Sequence, residues 1–288
     1  MLEARDTWID PAGPAVGQAL YDAAWTQPQP VERYVLLDAT FAPGLPARLA
    51  RWLELEDYCS LYARRYEGEG LDEVAPYLLR LPWVPALRQP LCDKLMALTR
   101  GRPMLSLLFS AATLEQLADH LRAQIEAVGA DGRAYLLRLA DTRALAALLD
   151  VLTSAQRQRL LAGIARWSYV DRAGDLQSIE GGPPAAPAIE PTPYQIDADQ
   201  QRQLQQLALP DAILRFVQLR AGLFGELACR PAAAHRLIDE GVQRLARRGV
   251  DHDALAYRHA LTLLRRHGLL TSAHSSPTPV VSSLEPQS

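Results

Sequence analysis

The sequence predicts an α+β fold, with a mixed-sheet N-terminal α/β lobe followed by an all-α C-terminal lobe. Three observations carry that prediction. Over the first 180 residues, apolar runs of strand length are interspersed with amphipathic helical segments. A stretch rich in proline, Gly181-Gly182-Pro183-Pro184-Ala185-Ala186-Pro187 extended through Pro191 and Pro193, then interrupts the pattern. From Asp197 to Gly268 the signal is helical alone. Strands mixed with helices, then helices only, define the class.

The elements follow in order. Gly13–Gln27 has Ala, Val, Leu and Trp at helical spacing, Pro14 suits a first helical position, and Pro28 and Pro30 close the helix. Arg33–Asp38 is a β-rich apolar run and reads as a buried strand. A short helix at Leu45–Glu54 and a strand at Tyr58–Tyr62 come next, then a polar loop at Arg64–Gly70. Val74–Leu81 is extended, with Pro76 fitting an edge strand or a strand start. Leu91–Arg100 reads as a helix, broken by Gly101 and Pro103, and Met104–Phe109 as another strand. Thr113 with Gln116 forms a capping box for a helix at Leu114–Arg122. Asp131-Gly132, between Ile125–Val128 and Ala134–Leu139, is a hairpin signal. Helices at Leu145–Leu152 and Ser154–Leu161, a strand at Trp167–Val170 and a turn at Ala173-Gly174-Asp175 complete the lobe. The helical segment is expected to break at Pro210, at Arg230-Pro231 and at Arg248-Gly249, with Asp251 and Asp253 as caps.

Four regions are expected: an α+β lobe at 1–180, a proline-rich linker at 181–196 crossed by few contacts, a helical lobe at 197–270 and a disordered tail at 271–288. The helical stretch 197–268 holds 11 Arg against 8 acids, whereas the first 196 residues hold 19 bases against 24 acids. Lobes of opposite sign suit different partners.

Composition bounds the function. With 49% hydrophobic and 22% charged residues the chain is ordinary globular material. The net charge of −3 provides no field to hold nucleic acid or anionic lipid. Cys59, Cys92 and Cys229 are far apart and odd in number, without CxxC or Cys/His spacing, so neither zinc nor a disulfide framework is expected. The acidic N-terminus does not fit a signal peptide, and the apolar runs are too short for a membrane helix. A cytoplasmic protein with no cofactor, no nucleic acid and no membrane insertion is expected.

No catalytic motif assembles. Gly68-Glu69-Gly70 opens like a dinucleotide fingerprint, but position 73 is Glu and no strand leads into it. No phosphate-binding loop contains Lys94, the only lysine and the weak Schiff-base candidate. His252, His259 and His267 lie near one face of the last helix, but spacings of 7 and 8 residues are about 10–12 Å apart and cannot share one ion. His120 reads as exposed on its helix. Asp38 and Asp141 end strands, where an acid serves a site or caps the next turn; capping is the preferred reading. Arg138, Asp141 and Arg143 make a charged cluster, either an ion-paired corner or a groove wall. Of the aromatics Tyr34, Tyr58, Tyr62, Tyr77, Trp83, Phe109 and Trp167, most suit the core, while strand-end rings also serve as binding anchors.

The order of these pieces resembles a family. Tyr34-Val35-Leu36-Leu37-Asp38-Ala39 is similar to its opening strand, Ser60-Leu61-Tyr62 to the next, and Ala75-Pro76-Tyr77-Leu78 to its APYL block. Thr113–Leu117 through His120-Leu121-Arg122 is similar to its helix ending in His-Leu-Arg. Asp131-Gly132-Arg133, Leu136-Leu137-Arg138, Asp141 and Arg143-Ala144-Leu145 follow its hairpin and helix motif, and the stretch from Leu149 to Trp167 resembles the close of its lobe. Leu139-Ala140 stands where the family carries Phe-Tyr, and Thr142 where it has Pro. Over Tyr34 to about Trp167 the chain resembles the adaptor/chaperone family of bacterial type VI secretion, long catalogued as a domain of unknown function.

The resemblance implies a non-catalytic cytoplasmic adaptor that binds a cognate toxin effector, in such systems often one with a PAAR or transmembrane region, and helps load it onto the VgrG spike protein. The expected contact surface combines Tyr62 and Tyr77 with Arg138, Asp141 and Arg143. The alternatives are a hydrolase-like enzyme using Asp38 or Asp141, or a structural subunit of a larger complex.

Overall fold

The computed structural model describes residues 7–22, 31–181, 192–250 and 252–271. Its elements are α1 (Pro14–Asp22), β1 (Glu32–Asp38), α2 (Leu45–Trp52), β2 (Tyr58–Ser60), β3 (Pro76–Arg80), α3 (Pro85–Thr99), β4 (Ser106–Ser110), α4 (Leu114–Gln124), β5 (Glu126–Gly129) and β6 (Ala134–Leu136). There follow α5 (Thr142–Val151), α6 (Ser154–Leu160), β7 (Arg166–Val170), β8 (Leu176–Glu180), β9 (Tyr194–Ile196), α7 (Ala198–Leu219), α8 (Ala221–Phe224), α9 (Pro231–Ala246) and α10 (Asp253–Arg266). The architecture is α+β: a sheet region with helices, then helices.

The larger sheet runs β2-β3-β1-β4-β7-β8, with every pair antiparallel. β1 is a continuous apolar run because both faces of the sheet are covered. Val35 and Leu37 face a core built with α1, α2 and α3, whereas Tyr34 and Leu36 face a second core built with α4, α5 and α6. Adjacent residues point to opposite faces, so one strand feeds both cores. Pro76 opens β3, the position where a missing N–H is tolerated.

Several helix starts obey their local chemistry. Thr113 and Gln116 form the expected capping box, and Thr153–Gln156 and Asp197–Gln200 form two more. Gly132 turns the β5–β6 hairpin at φ 74°. Gly174, at φ 80°, turns the β7–β8 hairpin, and a Cβ there would fall 2.4 Å from the Pro11 carbonyl oxygen. The segment preceding α1 therefore packs directly on that turn, with the Asp10 N–H donating to the Arg172 carbonyl at 2.9 Å.

Three features depart from the sequence expectation. β8 was not anticipated: it is a mostly exposed outer strand whose polar residues lack an apolar face. Tyr194–Ile196, expected within the linker, is instead β9, which pairs in parallel with β5 to complete a second sheet, β6-β5-β9. Tyr194 and Ile196 enter the core beneath α4 and α6, because two apolar residues at period 2 suffice once a free strand is adjacent. The body of the linker, 182–191, and the tail, 272–288, lie outside the described residues.

The third departure is at Pro210, where α7 continues through to Leu219. A proline inside a helix removes one ladder bond, and burial on both sides offsets it. The first half of α7 sends Leu204 against the core of the sheet region, and the second half buries Ile213, Leu214 and Val217 with α9 and α10. One helix thus belongs to both cores. Among the described residues, no helix is long and apolar enough to cross a membrane.

Candidate functional site

The strongest concentration of polar chemistry begins where β1 ends. Asp38 is buried and caps the next turn, accepting from the Thr40 N–H at 3.0 Å and the Thr40 hydroxyl at 2.5 Å. Arg138, beyond the β5–β6 hairpin, donates to Asp38 Oδ2 at 2.8 Å and lies 3.4 Å from Asp141 Oδ2. Asp141 caps α5 by accepting from the Arg143 N–H, and its two oxygens also take Nε and Nη2 of the Arg143 guanidinium at 3.1 and 2.9 Å. The series therefore runs acid, base, acid, base from Asp38 to Arg143.

Arg143 extends it onto the helical region. Its Nη1 lies 3.7 Å from Asp211 on α7, which also receives Arg172 Nη2 at 2.5 Å and faces His235 Nε2 of α9 at 3.6 Å. Trp8 is wedged into the same seam, with the Arg143 guanidinium 4.9 Å and that of Arg215 4.0 Å from its ring, and Phe41 edge-on at 5.3 Å. Asp10 adds a second tie by accepting from the Ala232 N–H at 3.1 Å in the first turn of α9, a helix whose own N-cap residue, Arg230, provides no side-chain cap. The interface is thus a desolvated chain of charges with an aromatic filling.

The electrostatics follow from that packing. Burial would raise the Asp211 carboxyl, but the hydrogen bond from Arg172 and the charges of Arg172, Arg143 and His235 hold it below 3.8. Burial also opposes charge on Arg143, and Asp141, Asp211 and Asp38 more than restore it. His235 goes the other way: burial, with help from Arg172 and Arg143, keeps its pKa below 6.5 despite Asp211 and Asp239. His120 is lowered chiefly by burial as well.

A histidine depressed in the folded state is protonated first in the unfolded chain. Its stabilising contribution is whole above 6.5 and is lost as pH falls below that value. Thermal unfolding should therefore be flat between about pH 8 and 7 and decline as pH drops below about 6.5. The variant His235→Gln should shallow that decline, and an unchanged slope in a variant lacking both His120 and His235 would refute the assignment.

The structure disposes of the other candidates individually. Tyr77 is only 4% exposed and packs beside Tyr58 in the core, so it offers no surface anchor, because β3 lies inside the sheet rather than at its end. Asp141 and Arg143 are likewise withdrawn, with side chains 4% and 11% exposed. Tyr62 is half-buried, edge-on to Tyr66 at 5.3 Å, and Arg138 alone of the five is substantially exposed, at 45%. His120 is not exposed: its Nε2 meets the Leu160 carbonyl at 2.9 Å, because α6 packs over that helix face. Lys94 lies 5.7 Å from the Trp52 ring centroid. Burial pushes the Cys92 thiol up to about 11, and raises Cys59 and Cys229 too, so none is an activated nucleophile. Among the described residues no three metal-ligating side chains converge.

Sequence reasoning missed Asp211, Arg172, His235 and Trp8. One signal existed: Asp211, Leu214 and Gln218 recur at i, i+3 and i+7, placing an acid on a buried helical stripe. Such an acid requires a cation from elsewhere.

Several large apolar and aromatic side chains also stand at the surface. Tyr135 and Leu136 on β6 are 39% and 49% exposed, Trp83, Val84 and Leu87 flank the start of α3, and Leu219 and Leu223 lie near the end of α7 and on α8. Fold and site together define an α+β protein with a helical extension locked on by an internal charge seam. Asp38, Asp141 and Asp211 are engaged by caps and guanidinium groups. Residues 33–159 match the family Domain of unknown function DUF4123, a span that runs from the second residue of β1 through most of α6. No curated protein and no solved structure matches the chain.

Proposed function

We propose that this protein is a cytoplasmic adaptor that binds a type VI secretion effector and helps load it onto the VgrG spike. The observation that supports this reading most is the contrast between the acids and the surface. Asp38 and Asp141, the residues an enzyme would use, have their oxygens taken by caps and guanidinium groups, whereas large apolar side chains stand exposed in several groups. Exposed apolar groups on an otherwise well-cored protein suit protein–protein contact. The order of motifs from Tyr34 to Trp167, most of which the family match covers, supports the same reading. An effector with apolar surface aggregates alone, and a partner that covers that surface stabilises it by mass action.

Co-expression should keep a cognate toxin soluble, and deletion of the adaptor should stop delivery of that toxin alone. A toxin that is soluble and delivered normally without this protein refutes the reading.

A further inference from the structure

We propose that the free edge of β6 is a docking strand for an extended segment of another protein, apolar at alternate positions and carrying a carboxylate where it passes Arg133. The proposal goes beyond the adaptor reading and stands on strand geometry, so loss of effector loading would not by itself remove it.

The hairpin register sets which backbone groups are free. Glu126 pairs with Leu136, Ala127 with Tyr135 and Val128 with Ala134. The Gly129 N–H donates to the Arg133 carbonyl at 2.9 Å and the Leu137 N–H to the Ile125 carbonyl at 2.8 Å. Hydrogen-bonded and non-hydrogen-bonded pairs alternate in an antiparallel ladder. The odd-numbered residues 133, 135 and 137 thus spend their backbone groups on β5, while Ala134 and Leu136 direct N–H and C=O outward. Among the described residues, β6 pairs with β5 alone and nothing else bonds those outward groups.

The other edges are managed differently. The Ser60 carbonyl of β2 is taken by Arg122 Nη2 at 2.8 Å, and the Gln195 carbonyl of β9 by Gln156 Nε2 at 2.8 Å. β8 exposes Gln177, Ser178 and Glu180, the polar side chains that discourage edge pairing. β6 instead exposes Ala134, Tyr135 and Leu136, with no charge and no proline in the strand. An uncovered edge with apolar side chains is a template for an added strand.

Charge selects the occupant. The Arg133 side chain is 81% exposed and its ion pair with Asp131 is 3.8 Å long, so its guanidinium donors face solvent at one end of the strand. Arg138, at the other end, is already engaged by Asp38 and Asp141. A second copy pairing antiparallel through β6, with Ala134 of each chain opposite Leu136 of the other, would set Leu137 opposite Arg133 and offer it no acid. A partner strand with an acid at the Arg133 end supplies one.

The test uses the full chain with two synthetic, C-terminally amidated octapeptides of alternating Val and Thr, one ending in Asp and one in Lys. Residue-resolved amide exchange should slow about tenfold or more at Ala134 and Leu136 with the Asp peptide, and markedly less with the Lys peptide. Leu136→Pro removes an outward N–H, so the native ladder is intact and the melting temperature should hold, while the slowing at Ala134 disappears. Leu136→Ala keeps the outward N–H and should keep much of the effect. No slowing at millimolar peptide, slowing equal for both peptides, or slowing without peptide that grows with protein concentration overturns the proposal; the last identifies a second copy as the occupant.

Discussion

Asp211→Ala should destabilise the protein by about 3–5 kcal/mol, the cost of leaving buried cations without their partner. Asp211 is the common acid of Arg143, Arg172 and His235, and its side chain is 17% exposed. Its removal leaves Arg172 without its ion pair and Arg143 with Asp141 alone on that side. For a chain of this size a kcal/mol moves Tm by about 2–4 °C, so a fall of roughly 6–20 °C is expected in a thermal melt. Asp199→Ala, at an exposed acid on the same helix paired only to Arg202, should stay within about 0.5 kcal/mol. A similar small effect for Asp211→Ala would mean that the charge seam does not hold the helical region.

Tyr194→Ala should cost about 3–5 kcal/mol, as large aromatic truncations in cores do. Tyr194 is 1% exposed, its hydroxyl donates to Gln124 Oε1 at 2.7 Å, and the Arg159 guanidinium lies 4.3 Å from its ring centroid. Tyr194→Phe keeps the ring and loses only the hydroxyl, and should cost about 1 kcal/mol. A residue of an unstructured linker would change stability by less than about 0.5 kcal/mol in either variant. Denaturant unfolding monitored by circular dichroism separates the two outcomes, and equal, small effects would remove β9 from the core.

Much of the sheet region was legible because its elements declare themselves locally. β1 contains the apolar run Tyr34–Leu37 ended by Asp38, and the Asp131-Gly132 pair specifies the turn of a hairpin. Thr113 and Gln116 fix the start of α4 by bonds within four residues. The candidate surface was less legible. Tyr62 and Tyr77 look alike in sequence, yet Tyr77 is inside the sheet and Tyr62 is half-buried near its end, a difference set by strand order. The exposure of Tyr135 and Leu136 likewise depends on β6 having no neighbour beyond β5.

By itself the sequence determined the α+β class, the order of most elements, the caps and the hairpin, since these depend on hydrophobic period, turn chemistry and hydrogen bonds between residues a few positions apart. Tertiary structure alone decided that Tyr194–Ile196 is a strand, that α7 runs through Pro210, and that Asp211 joins Arg143, Arg172 and His235. Each of those depends on partners brought together from distant parts of the chain. A weak local preference becomes a buried strand or a continuous helix only when a neighbouring surface removes it from water, and a charge can be buried only where the fold delivers its counter-charge.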